Sequence, residues 1–208
     1  MVAIFGNSGH AHEVAFLLDK CSMPVIKADC FVVEVATSNT SLLPTLSEEE
    51  FTQVLSRNTV TCNAYIAIGS SKIREKIVEK FKRYAIKFEN LVVKNSTVYS
   101  GRVEIGVGNI VFPNVFMTTG ITIGSQNHFN LGVSISHDCV IGNYNTFSPG
   151  VRIAGTVHIG NNNFFGLNSC VIDGVSIAHD AVIGAGAVVT ADITEPGTYV
   201  GVPARKIK

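Results

Sequence analysis

Counting every sixth residue from Val93 meets an apolar side chain each time: Val93, Tyr99, Ile105, Val111, Met117, Ile123, Phe129, Ile135, Ile141, Phe147, Ile153, Ile159, Phe165, Val171, Ile177, Ile183 and Val189. With 46% of the chain hydrophobic, an unbroken series of this length arises by chance on the order of once in 100,000, all six phases allowed. Lys87 and Glu195 close the run at either end. Asn109, Asn127, Asn145 and Asn163 recur at three times that spacing, as do Gly106, Gly124, Gly142 and Gly160. Three hexads therefore make one coil of a solenoid, with three short strands and three corners, and successive coils stack at roughly 4.8 Å. Strand alternation turns the apolar residue and the one two places before it inward. The glycine after it is expected at a corner that requires a positive φ. The recurring asparagines are expected to form an interior ladder in which each satisfies the next.

Ahead of this run the chain has a different texture. Of its 32 charged residues only Lys94, Arg102, Glu104, Asp138, Arg152, Asp173 and Asp180 lie between Leu91 and Val189, whereas 16 of the 19 glycines follow residue 90. The first part alternates strands and helices. Val2–Phe5 is an apolar run entering Gly6-Asn7-Ser8-Gly9-His10 and then a helix with Val14, Leu17 and Leu18 on one face. Val25–Glu34 reads as a second strand region, and Ser47-Glu48-Glu49-Glu50 has the form of a capping box. Ala64–Ile68 reads as a third strand, after which Ser70 or Ser71 is expected to cap a helix with Ile73, Ile77 and Phe81 inside. The expectation is an α/β domain over residues 1–90, a small open parallel sheet, followed over residues 91–208 by a parallel β-helix of roughly five coils and a C-terminal tail.

Composition removes several function classes. Sixteen basic and sixteen acidic residues leave no net field to hold a polyanion, which argues against nucleic acid as a partner. No stretch approaches the length of a membrane-spanning helix, and the N-terminus lacks the form of a signal peptide. Five cysteines with no Cys-x-x-Cys pair point to reduced thiols and a cytoplasmic location. Cys139 and Cys170 read as buried core thiols, and no Cys/His spacing suggests a metal.

The solenoid holds four histidines. His128 and His158 precede inward positions and are expected on outer flat faces as solvated side chains. His137 and His179 fall at corners. Asp138 follows His137, and Gly155 lies one coil above it, where a missing side chain opens the backbone to a ligand and leaves an N–H to face an oxyanion. The turn Gly6-Asn7-Ser8-Gly9-His10, joining a strand to a helix N-terminus, is suited to a diphosphate, although it is not the dinucleotide fingerprint and a plain tight turn fits equally well.

The segments IFGNSGHAHEV, YIAIGSSKIREKI, ISHDCVIG, IGAGAVVTADI and VGVPARKIK, together with the hexads, closely resemble the sialic-acid O-acetyltransferase and nucleotide-amino-sugar N-acetyltransferase family. That resemblance implies a left-handed β-helix, whereas parallel crossovers are otherwise right-handed. It implies acetyl-CoA as cosubstrate, a homotrimer with composite active sites, and a role in O-antigen or related polysaccharide synthesis. His137 would be the general base, Asp138 the group that orients it, and Gly155 the donor to the thioester oxygen. Leu167 and Ala185 match positions that meet the pantetheine arm, and Asn130 one near the acceptor sugar. Gly6, Asn7, Ser8, Gly9, His10 and Gly69 would line the nucleotide site. Two departures are visible. Thr146 replaces a second histidine found in some amino-sugar members, and Glu34 is the one acidic residue where members often carry two. The implied reaction is direct acetyl transfer to the amine of a nucleotide-linked 4-amino-4,6-dideoxy sugar, with no acyl-enzyme. A hydroxyl acceptor, as in sialic-acid O-acetylation, and a non-catalytic β-helix that only binds a nucleotide sugar are the alternatives.

Overall fold

The computed structural model describes residues 1–21, 26–34, 43–57, 61–98 and 102–208; Val25 and Tyr99, named above, lie outside them. The chain forms two compact units, Met1–Lys94 and Asn95–Lys208.

The first unit runs β1 (Val2–Phe5), α1 (Gly9–Cys21), β2 (Cys30–Val33), β3 (Thr45–Ser47), α2 (Glu48–Arg57), β4 (Cys62–Ile66), α3 (Ser71–Phe81) and β5 (Ile86–Phe88). All five strands pair in parallel in the order β3-β2-β1-β4-β5. Alternation sends Ala3, Phe5, Val32, Ala64 and Ile66 to one face, where they pack with Phe51 of α2 and with Ile77 and Phe81 of α3. Phe5 meets Phe51 edge-on at 5.5 Å and Phe81 at 5.0 Å. On the other face α1 buries Ala11, Val14, Leu17 and Leu18, and its His12 ring lies 5.2 Å from Phe31. The strand order reverses between β1 and β4, so the loops leaving these two strands flank the crevice where open α/β sheets take ligands.

The capping box forms as read: the Glu50 N–H donates to Ser47 Oγ at 3.2 Å, and the Ser47 N–H donates to Glu50 Oε2 at 2.8 Å. Helix α3 departs from expectation at two points. Ser70 holds the N-cap position in extended conformation but makes no side-chain capping bond. Ile73 is 46% exposed, while the neighbouring Arg74 is fully buried with Ile77 and Phe81. Positions 74, 77 and 81 satisfy helical spacing as well as 73, 77 and 81 do, so periodicity did not separate them.

The second unit is a three-faced parallel coil. One face stacks Thr97–Val98, Phe116–Met117, Ser134–Ile135, Arg152–Ile153, Cys170–Val171 and Val188–Val189. A second stacks Val103–Ile105, Ile121–Ile123, Val140–Ile141, His158–Ile159 and Ser176–Ile177. The third stacks Ile110–Val111, His128–Phe129, Thr146–Phe147, Phe164–Phe165 and Ala181–Ile183, and continues into Gly197–Val200. The hexad residues fill the interior with the residues two before them, among them Val133, Cys139, Val151, Val157, Val175 and Ala187. Phe129, Phe147 and Phe165 stack face to face at 4.9 and 4.7 Å, their planes within 7° of parallel. The asparagine ladder is present: Asn109, Asn127, Asn145 and Asn163 each accept through Oδ1 from a backbone N–H one coil on, at 2.8 to 2.9 Å.

Three expectations change. Every sixth residue from Gly108 to Gly186 has a positive φ, eight of them not glycine, but Gly106, Gly124, Gly142 and Gly160 are not in that series. Those glycines serve close stacking instead, because a Cβ on any of them would stand 2.6 to 2.8 Å from a backbone oxygen of the next coil. Cys170 directly precedes the inward Val171, so it faces outward and is only half-buried. His128 lies on an outer face as expected but is 3% exposed rather than solvated.

Candidate active-site corner

The corner between the first and second faces collects His137 and Asp138, then Gly155 and Thr156, then Asp173 and Gly174. Coil-to-coil bonds hold the column: the Asp138 N–H donates to Thr119 O at 3.0 Å, the Thr156 N–H to His137 O at 2.9 Å, and the Gly174 N–H to Gly155 O at 3.0 Å. Asp138 takes the left-handed position of its corner (φ 58°), which swings its carboxylate beside the preceding side chain. His137 Nδ1 lies 2.9 Å from Asp138 Oδ2. A carboxylate there fixes Nδ1 as the protonated nitrogen and leaves the Nε2 lone pair as the proton acceptor. The two side chains are 56% and 63% exposed, so the pair is open to a substrate.

Gly155 sits against the other edge of the imidazole. A Cβ there would stand 2.5 Å from His137 Cε1 and 2.7 Å from Nε2, so any side chain displaces the ring. The Gly155 N–H makes no hydrogen bond among the described residues and is available as a donor. Thr156 has φ 54°, an uncommon conformation for a β-branched residue, and its Oγ1 donates to Gly155 O at 2.7 Å. The corner thus places an oriented imidazole and a donor N–H on one surface.

His179 has a different task. Its Nδ1 accepts the Asn161 N–H at 2.8 Å and continues a column in which Asn161 and Asn143 do the same for the coils before them. Asn130, Leu167 and Ala185 lie on the corner between the third and first faces, across the whole first face from His137. Asn130 Oδ1 accepts from the Leu131 N–H at 2.8 Å, and Leu167 is 52% exposed. Thr146 stands on the third face between His128 and Phe164. One chain does not bring these residues to His137.

In the first unit, Gly6 to His10 and Gly69 lie at the ends of β1 and β4, while Glu34 lies beyond the end of β2, outside that pair of strands. Gly6 has φ 114°, and a Cβ on it would stand 2.9 Å from Ala67 O, so the loops leaving β1 and β4 touch. The Asn7 side chain bridges Thr45 Oγ1 at 3.4 Å and His12 Nε2 at 3.2 Å. Ser8 O accepts the His12 N–H at 3.1 Å, which starts α1 from Gly9. His10 faces Glu13 at 3.5 Å; burial pushes its pKa below the ordinary value, against the raising pull of Glu13. Glu34 follows β2 and is exposed. Sequence reasoning missed Arg74. Its Nη1 donates to Ile68 O and Gly69 O, both at 2.9 Å, and so fixes the loop after β4. Among the described residues no group of three or more His, Cys, Asp or Glu is placed to hold a metal ion.

The PglD N-terminal domain matches residues 1–81, and the hexapeptide repeat of succinyl-transferase matches residues 156–191. GDP-perosamine N-acetyltransferase of Escherichia coli O157:H7 is 36% identical over 74 residues, which span 36% of this chain and only 33% of that protein. PerB from Caulobacter crescentus, solved with CoA and GDP-perosamine, is 28% identical, with 100% of this chain and 97% of that one covered at a TM-score of 0.90. WeeI from Acinetobacter baumannii AYE is 28% identical over 100% and 99% of the two chains, with a TM-score of 0.85. The acetyltransferase domain of PglB from Neisseria gonorrhoeae, solved with acetyl coenzyme A, shares the fold at 24% identity, 99% and 98% coverage and a TM-score of 0.88. These likenesses assign the coil its left hand, and from the first strand of the small sheet to the last corner of the solenoid the chain is similar in fold to nucleotide-amino-sugar acetyltransferases such as PerB.

Proposed function

We propose that the protein transfers the acetyl group of acetyl-CoA to the amine of a nucleotide-linked 4-amino-4,6-dideoxy sugar, with His137 as general base. The observation that carries this reading is the His137 corner. Asp138 holds Nδ1–H at 2.9 Å, so Nε2 is left to accept a proton beside the Gly155 notch. As the amine nitrogen attacks the thioester carbon, its proton passes to Nε2 and then to the departing sulfur. The Gly155 N–H donates to the carbonyl oxygen as negative charge builds on it. Transfer is direct, without an acyl-enzyme. Support for a nucleotide sugar comes from the β1/β4 crevice, where Gly6 to His10 lead into the α1 N-terminus. Relatives point the same way: PerB was solved with CoA and GDP-perosamine, as were variants of that enzyme with a histidine replaced by alanine or asparagine.

The active unit in this reading is a homotrimer. Leu167 and Ala185, assigned to the pantetheine arm, stand on a different corner from His137, so a second copy would complete the site. Asn130 and Thr146 approach the acceptor from that side. A place in the cytoplasm and in polysaccharide synthesis accords with five free cysteines and with the acceptor class. No helix among the described residues is long and apolar enough to cross a membrane.

The test is thiol release from acetyl-CoA with UDP-, dTDP- and GDP-linked 4-amino-4,6-dideoxy sugars and with free sialic acid. Turnover of one amino sugar, lost in His137→Ala, supports the reading. Turnover of sialic acid alone overturns the amine acceptor, and failure to bind acetyl-CoA overturns the enzyme.

A further inference from the structure

The notch at Gly155 has a second wall. Asp173 stands one coil beyond Gly155 in the same corner column. Its Oδ1 lies 3.0 Å from the point where a Gly155 Cβ would be, and His137 Nε2 lies 2.7 Å from that point. Imidazole and carboxylate therefore face one another across a gap kept open by the absent side chain. Thr156 Oγ1, whose proton goes to Gly155 O at 2.7 Å, stands 3.3 Å from Asp173 Oδ1. Asp138 is on the other side of the ring, engaged with Nδ1. The groups that titrate around Asp173 are thus His137, Asp138 and the thiol of Cys139, which burial first and then the two carboxylates push above its usual value.

We propose that Asp173 is the specificity-determining residue of this corner: it receives the acceptor nitrogen as a cation opposite His137 and so favours amine over hydroxyl acceptors. The inference rests on the reading of His137 as base. A primary amine is mostly protonated at neutral pH, whereas a sugar hydroxyl carries no charge for a carboxylate to attract. The ammonium yields one proton to water on becoming the nucleophile. The C–N bond forms, the C–S bond breaks, and the second proton travels through His137 Nε2 to the sulfur. Asp173 takes no part in the proton transfers and holds the nitrogen within reach of the lone pair that must take its proton.

The experiment is steady-state kinetics of Asp173→Asn and Asp173→Glu, with GDP-perosamine or whichever amino sugar of the panel the wild type accepts. Asp173→Asn should raise the acceptor KM about 10- to 100-fold at neutral pH, the span of a hydrogen bond to a charged group. The acetyl-CoA KM should not move, and Asp173→Glu should restore most of the loss. The deficit should shrink at about two pH units above neutrality, where the amine is no longer a cation. An unchanged acceptor KM, or a deficit that is the same at both pH values, overturns the role of Asp173 while leaving the acetyltransferase reading intact. A wild type that acetylates only hydroxyls overturns the amine reading itself.

Discussion

The two units hold their polar groups in place by different logics. In the coil, a polar side chain is satisfied by the same position one coil away: Asn127 by Asn109, Asn145 by Asn127, the Asn161 N–H by His179. In these columns the partner is the next copy of one pattern, so a column is as strong as its repetition. In the α/β unit each polar contact is a local solution. Ser47 and Glu50 close one helix start, Arg74 pins one loop, and Asn7 joins the β1 turn to β3 and α1. The contrast separates two kinds of fragility. Damage to the coil spreads along a column, whereas damage to the α/β unit stays in a loop.

The His137 corner is where the coil breaks its own pattern, so the largest effect is expected there. His137→Ala should lower turnover by about 10²- to 10⁴-fold, the usual worth of a general base, with acetyl-CoA binding by calorimetry kept. Since both side chains of the pair are more than half exposed, its melting temperature should barely change. Next comes the interior. Phe147 is sandwiched between Phe129 and Phe165, and Phe147→Ala should cost about 3–5 kcal/mol in denaturant unfolding. If the loss is no larger than for an aromatic at the end of the stack, such as Phe165→Ala, the column has no special strength. Gly155→Ala should act like a mild form of the histidine change, because the new methyl group pushes the ring from Asp138 without touching the core. Activity should fall while stability holds.

Smaller effects test the corners and caps. Thr156→Gly should relieve strain of about 1 kcal/mol at φ 54°, offset in part by the greater freedom of glycine in the unfolded chain, so a modest rise or no change in melting temperature is expected. A clear fall would show that the Oγ1 bond to Gly155 outweighs the strain. The smallest effect belongs to the capping box. The Ser47 N–H and hydroxyl hold the Glu50 carboxyl below its usual pKa in the folded protein. Its contribution is therefore complete above the unfolded carboxylate range, near 4.3, and is lost as pH falls through the lower folded value. Glu50→Gln should flatten that limb of the stability profile of the α/β unit and leave the coil unaffected.

The coil was legible because its rule is repeated. Seventeen apolar residues in one register specify strand, corner and inward face together, and no single exception can hide the period. Its exceptions were less visible. A glycine placed for φ and one placed for close stacking look alike in a sequence, so Gly124 and Gly132 were separated only by their surroundings. His128 is outward by register yet buried, and Cys170 is one residue from the inward position assigned to it. In the α/β unit each helix supplies only about three turns of pattern. That was enough for the capping box and for α1. It did not decide between Ile73 and Arg74, because a fully buried arginine answers to two backbone carbonyls rather than to hydrophobicity. The candidate corner was partly legible. His137, Asp138 and Gly155 follow from residue type and the 18-residue step, but the facing of Asp173 toward Nε2 needs side-chain directions that no spacing contains.

The fixed step of the coil also quantises how the protein can change length. Asp138, Thr156 and Gly174 stand over one another because each is eighteen residues from the next. An insertion of one whole coil after Asp180 would lengthen the prism and leave every later residue on its own face. An insertion of six would carry every later residue to the next face, and an insertion of one would turn the inward side chains out. Such a chain should tolerate additions in full turns and reject nearly all others, so the corner column acts as a reading frame written in space.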